Sequence, residues 1–326
     1  MSVIRTLRSQ RGIFNALVGG IMLGVHGLGT NLLARTISPW IICFFFTICH
    51  LVVIPWINWE LNNKYTLTNI LMIFIAGLFG TLHLCFISFA FAFTSVGNTS
   101  AILYTKPLFS ALFGKCLIKE PLAWIDALLI LANFIGVLLV GKPPFLFGGK
   151  LTSDSRELVG AMLSLVGAIC GALQYVSIRK IVADDVFDTA TILLAKTVAG
   201  FLIYSMGILF NITELKPLET TLEWFYLSIV CVCGLTEVLF TYFALETLNA
   251  KTVALITAID VLTSYLLQIA FTSDKVDWMA ITGALLITSA PVVYGIMGIR
   301  EQILQERENK GQELQDRDGD EHLSAK

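Results

Sequence analysis

Four ionisable side chains, Lys106, Lys196, Glu237 and Asp260, sit inside long apolar runs of this chain. In hydrocarbon such a group is costly unless it is paired or wetted, so each is first read as part of a path for a solute, an ion or a proton. The competing reading of all four is structural, as ion pairs that knit helices together. Lys196 has no acid within a helical turn, and a buried ammonium attracts a carboxylate or a phosphate. Asp260 follows Thr257 and precedes Ser264 and Gln268 at spacings of three, four and four, which puts the four on one face of an uninterrupted helix. That face is expected to meet a cavity or another helix. Asp260 itself has three open roles: partner of a cationic solute, proton-coupling carboxylate, or counter-ion. Lys106 stands before Pro107, which frees a backbone carbonyl and kinks a helix. Glu237 shares a face with Phe240, Thr241 and Ala244. His26, His50 and His83 offer either a proton relay or hydrogen bonds between helices.

No pattern for catalysis accompanies them. The chain has no H-E-x-x-H, no G-x-S-x-G and no Walker A sequence. The reading is therefore not an enzyme, with no cofactor and no metal. All seven cysteines lie in apolar stretches and read as small hydrophobes.

The elements that hold these residues are helices in a bilayer. The chain is 56% apolar and 14% charged, with a mean hydropathy of +0.78, against roughly 45–50% and 25% for soluble domains. A net charge of −2 gives no reason to expect a nucleic-acid partner. With about 20 apolar residues needed per crossing, ten spans are expected, at 13–34, 39–57, 69–91, 98–118, 124–140, 158–178, 188–209, 222–244, 250–271 and 279–298. The fold class is all-α integral membrane. Residues 1–11 form a cytosolic N-terminus, 141–157 a loop between halves, and 299–326 a charged cytosolic tail without fixed structure. Arg5, Arg8, Arg11, Lys64, Lys115, Lys119, Arg179, Lys180, Lys251 and the tail's Arg300, Arg307, Lys310, Arg317 and Lys326 gather on one side, so both termini are expected in the cytosol. Sequons at Asn98 and Asn211 then fall outside. Trp40, Trp56, Trp59, Trp124, Trp224 and Trp278 lie near span ends, as an interfacial belt does.

The halves resemble each other. FAFTSVGNTSAILYT, from Phe91, aligns without gaps on FALETLNAKTVALIT, from Phe243, and ALLI recurs at Ala127 and Ala284. Five spans per copy make the second copy enter the membrane upside down, an architecture of transporters with the solute held near midplane. The glycines Gly19, Gly20, Gly24 and Gly27, and Gly160, Gly167 and Gly171, allow spans one and six to approach neighbours closely.

Phe91–Gly148 carries a further likeness: a small-residue turn, a mid-span proline, Lys119-Glu120 at the span end and a Gly-Val-hydrophobic run. These resemble the drug/metabolite transporter superfamily, EamA type. The trailing KPPFLFG resembles solute carrier family 35, subfamily G. The resemblance implies two inverted five-helix repeats, at 12–140 and 158–298, a central cavity and alternating access. It also implies a basic residue about eight positions into the second span of each repeat. Lys196 matches that position, and Thr47 replaces it in the first half. The nucleotide-sugar signature of the ninth span is absent, where the chain reads NAKTVALITAID. Tyr175, in the first span of its repeat, borders the central site by the same resemblance. The expected substrate site is thus Lys196, Tyr175, Asp260, Lys106, Glu237, Thr257 and Ser264, leaning to an organic anion. Expected partners are a small-molecule solute and the lipid bilayer, with a homodimer open. A non-transporting membrane scaffold is the alternative, and it has no need of buried charges.

Overall fold

The structure, a computed structural model, describes residues 2–34, 36–57, 66–93, 99, 102–141, 146–147, 155–184, 187–210, 218–271, 278–279 and 281–297. The two sequons, Trp59, the 299–326 tail and most of the inter-half loop lie outside them. Among the described residues everything regular is helical: α1 (Ser2–Leu33), α2 (Pro39–Cys49), α3 (Leu67–Phe93), α4 (Lys106–Leu117), α5 (Trp124–Gly141), α6 (Ser155–Ala183), α7 (Thr189–Leu209), α8 (Thr221–Leu245), α9 (Ala250–Thr257), α10 (Ile259–Phe271) and α11, residues 281–297. Continuous apolar runs of Leu, Ile, Val and Phe favour helices because each backbone group is then satisfied within its own segment. Local signals set the ends. Ser38 is extended and Pro39 opens α2 with the φ that proline already holds. Thr220 and Glu223 form a capping box at the start of α8. A 3₁₀ stretch, His50–Trp56, prolongs α2.

Six segments are long and apolar enough to cross a membrane by themselves: Gln10–Leu33, Pro39–Trp56, Leu67–Phe93, Leu158–Ala183, Thr189–Leu209 and Thr221–Leu245. Two shorter apolar helices, Trp124–Val140 and Ile281–Met297, join them. The expected fourth and ninth spans are interrupted. Helix stops at Tyr104–Thr105 before α4 begins, and α9 stops at Ala258 before α10 begins. In the repeat alignment Thr105 lies opposite Thr257, so the two breaks share one register to within a residue.

The surface is largely apolar, and polar and charged groups are buried within an apolar core. Leu71, Leu202, Val232 and Leu285 are more than half exposed, while Lys106, Lys196, Asp260, Gln174, His26 and His50 are buried. That inversion fits a multi-pass protein solvated by lipid. Trp56, Trp124, Trp224 and Trp278 face outward as a belt would. Trp40 departs from the expected belt, because its ring packs inward against Gly207, Phe89 and Tyr204.

Helices pair across the halves. α1 lies along α8 and α3 along α6; α2 crosses α7, and α4 meets α9. Close approach of backbones is tight at Gly77 of α3, where an added Cβ would lie 2.6 Å from the backbone nitrogen of Lys196. Gly136 of α5 and Gly283 of α11 likewise face each other's carbonyl oxygens. Of the glycines expected to serve span one, Gly20 and Gly24 pack on the backbone beside the Ala258 break, and Gly27 meets nothing.

Candidate functional site

The breaks bring the chemistry together. Lys106 opens α4 and is 3% exposed; its Nζ donates to Tyr175 Oη at 3.4 Å and lies 4.6 Å from the centre of that ring. Tyr175, on α6, also hydrogen-bonds Thr257 at the end of α9. Asp260, in the first turn of α10, is 6% exposed and hydrogen-bonds the Tyr104 hydroxyl at the opposite break. Its Oδ1 is buried without a hydrogen-bond partner among the described residues. Glu237, on α8, accepts a 3.4 Å bond from Thr241 and lies within electrostatic reach of both Lys106 and Lys196. Lys196, on α7, is 7% exposed, with Nζ 5.7 Å from the centre of the Phe46 ring. α3 fixes its backbone: Gly77 lies against its nitrogen, and Thr81 donates to its carbonyl at 3.1 Å.

Two cations and two carboxylates therefore share one interior with Tyr104 and Tyr175. Among the described residues neither lysine has a carboxylate oxygen within ion-pair distance, 4.0 Å. Buried charges left this far apart are stabilised weakly by one another, and a polar guest between them would be held by both signs. Lys106, Lys196 and Asp260 are buried, and Glu237 is partly exposed.

Of the seven expected residues, six converge here. Ser264 instead donates to the Gly24 carbonyl at 3.0 Å, tying α10 to α1. The one-face argument assumed a continuous helix; the interruption at Ala258 puts Thr257 on α9 and Asp260 and Ser264 together on α10, where the Ser264 hydroxyl is taken by α1. The side chains of Tyr265 and Gln268 lie outside the described residues. Two histidines are spent between helices, His26 on the Val230 carbonyl at 3.0 Å and His83 on that of Gly167 at 2.7 Å. His50 is not.

A second polar cluster closes one end of the bundle. Arg179, at the end of α6, meets Glu120 at 3.5 Å and donates to the carbonyls of Leu245 and Glu246 at 3.0 and 3.1 Å. Lys251 of α9 pairs with Asp126 of α5 at 2.5 Å and also reaches the Pro121 carbonyl. Tyr294 of α11 and the Ala123 N–H each donate to Asp126 at 2.8 Å. The clasp joins the 118–126 stretch of the first half to four helices of the second. Lys119 takes a left-handed φ of 57° there, and the Glu120 N–H returns to the Gly114 carbonyl, which turns Glu120 back toward Arg179. The sequence reading missed this cluster. It took Lys251 as a loop cation and passed over Asp126, whereas both are buried. Their positions inside spans five and nine are the signal that was available.

Burial pushes the Glu120 carboxyl above its ordinary value of 4.5, and Arg179 pulls it back only in part. An acid raised on folding holds its proton more tightly in the folded state. Its contribution to stability is then greatest below the unfolded value and falls as pH rises through the window between the two values. Glu120→Gln is expected to remove that decline, so that thermal unfolding above about pH 4.5 varies less with pH than in the unaltered protein. Melting scans of both proteins across that window check it.

Comparison with known proteins follows the same division of the chain. Residues 10–142 and 158–295 each match the EamA-like transporter family. Solute carrier family 35 member G1 of Mus musculus is 28% identical over 221 residues, covering 67% of this chain and 59% of that protein. This chain thus spans less than two thirds of the mouse relative's length. The Homo sapiens protein of the same name is 26% identical over 286 residues, covering 86% of this chain and 78% of its own. A crystal structure of a protein 15% identical in sequence superposes with a TM-score of 0.65 over 88% of this chain and 98% of its own, a likeness of fold.

Proposed function

This chain belongs to the EamA-like transporter family, and from that premise we propose that it is a secondary transporter that moves a small organic metabolite, leaning to an organic anion, by alternating access. The carrying observation is the pair of buried lysines without a carboxylate at contact distance. An anion seated between Lys196 and Lys106 supplies the missing countercharge, while Asp260 and Glu237 select for a polar or hydroxylated body. Tyr175 and Thr257 bind from the sides. Ten spans in two inverted five-helix repeats, with the termini in the cytosol, form the frame. Reciprocal packing of α1 on α8 and α6 on α3, and breaks at matching positions, support that symmetry. Rocking of the halves then exposes the site to each side in turn.

Thermal unfolding of the detergent-purified protein, screened against carboxylates, phosphorylated metabolites, zwitterions and cations, tests the reading. A solute at about 100 times its dissociation constant stabilises the fold by about 2.7 kcal/mol. Anions are expected to raise the melting temperature of the unaltered protein and to lose that effect in Lys196→Ala. Stabilisation by cations alone would reject the anion and make Asp260 the leading residue. Silence across the panel would favour a non-transporting scaffold.

A further inference from the structure

His50 begins the 3₁₀ stretch after α2, is 1% exposed, and has neither ring nitrogen hydrogen-bonded among the described residues. A neutral imidazole carries one N–H and one lone pair, and burying both without partners is unfavourable unless something else meets them. What surrounds the ring says what that is. Its centre is 4.4 Å from that of Phe46, the same ring that Lys196 Nζ approaches at 5.7 Å. Lys196 of α7 and His26 of α1 are the charged and titratable groups that act on it. The thiols Cys43 and Cys49 lie on α2, which runs into its 3₁₀ stretch, Cys231 of α8 neighbours Cys49, and Glu237 of α8 reaches Lys196.

From this geometry we propose that His50 is the proton site of the carrier, taking up one proton for each anion bound beside Lys196. The proposal rests on the anionic-solute reading above. In the empty carrier burial disfavours a charge on the ring, and the Lys196 ammonium adds its repulsion. An anion on Lys196 cancels that repulsion and presents an acceptor to the ring N–H. A proton from water then joins the free ring nitrogen, and no other bond changes. When the anion departs, the imidazolium again faces an uncompensated ammonium and returns its proton to water on the same side. Solute and proton thus travel together, without any direct bond between His50 and Lys196.

Binding of oxalate and sulfate, whose charges stay constant between about pH 6 and pH 8, measured by the melting shift, tests the coupling. One proton per anion raises apparent affinity up to about tenfold for each unit that pH falls. His50→Gln is expected to bind with an affinity nearly flat in pH, while Asp260→Asn keeps the slope. A slope unchanged in His50→Gln, or a flat profile in the unaltered protein, overturns His50 as the proton site and leaves the anion reading intact. Failure of every anion, these two probes and the carboxylate and phosphate panel included, overturns both. Should His50→Gln not fold, proton uptake by the unaltered protein on adding oxalate, followed with an indicator in weak buffer, decides the matter: one proton per anion supports the site and none overturns it.

Discussion

Lys251→Met is expected to cost about 3–5 kcal/mol of stability, the range for breaking a buried ion pair from one side. The Lys251 and Asp126 side chains are only 5% and 7% exposed, so the carboxylate left behind cannot recover its cation from water. Asp126 would keep the Ala123 N–H and the Tyr294 hydroxyl, enough to hold its position and not enough to neutralise it. The Pro121 carbonyl would lose its donor as well. For a chain of this size the loss corresponds to a fall in melting temperature on the order of 10 °C. Removing both charges in Lys251→Met with Asp126→Leu should recover most of the loss, because well-packed apolar groups replace a desolvated pair at little net cost. A double-mutant cycle measures the coupling. A small single-mutant effect with no coupling would mean that the end of the bundle is not held by this pair.

Gly77→Ala should be nearly as damaging through a different cause. The new Cβ would meet backbone, the Lys196 nitrogen at 2.6 Å and the Ala195 carbonyl carbon at 2.7 Å, and backbone cannot rotate out of the way. α3 and α7 must separate, which overpacking data put at about 1–3 kcal/mol. Separation also displaces the backbone that carries Lys196, so any melting shift caused by an anion should shrink together with the baseline stability. Gly27→Ala is the matched control. Nothing lies within 4 Å of its added Cβ, and alanine in place of glycine favours a helix by up to about 1 kcal/mol. Equal effects at the two sites would argue against close α3–α7 contact.

Much of this was legible in the sequence. Apolar runs marked the spans because lipid makes hydropathy the dominant signal, and the rarity of charge inside them made Lys106, Lys196, Glu237 and Asp260 conspicuous. The gapless alignment of Phe91–Thr105 on Phe243–Thr257 paired the two segments that the structure interrupts. The interruptions were only half visible. Pro107 marks one, whereas Ala258 is an ordinary helix former, and an average over 20 residues passes across a single broken turn. Ser264 was misread for a different reason, since it shares α10 with Asp260 and only the neighbouring α1 backbone shows that its hydroxyl is already taken. Lys251 and Asp126 escaped notice for another reason. Each stands within a turn or two of a span end, where charges usually reach water, and burial is decided by a partner 125 residues away. The free nitrogens of His50 lay furthest from reach, because they depend on what every neighbouring helix fails to offer.

The joint at Ala258 lets the two pieces of its span behave independently. All eight residues of α9 are buried and its first turn is fixed through Lys251, whereas α10 is tied to α1 at Ser264 and turns Leu266 outward. A beam clamped on one side of a pivot passes little torque to the other. On the proposed reading, arrival of cargo beside Asp260 and release of the clasp at Lys251 would be separate events, each with its own barrier, and the slower one would set turnover. Loosening the clasp would quicken one half of the cycle and leave the other at its old pace.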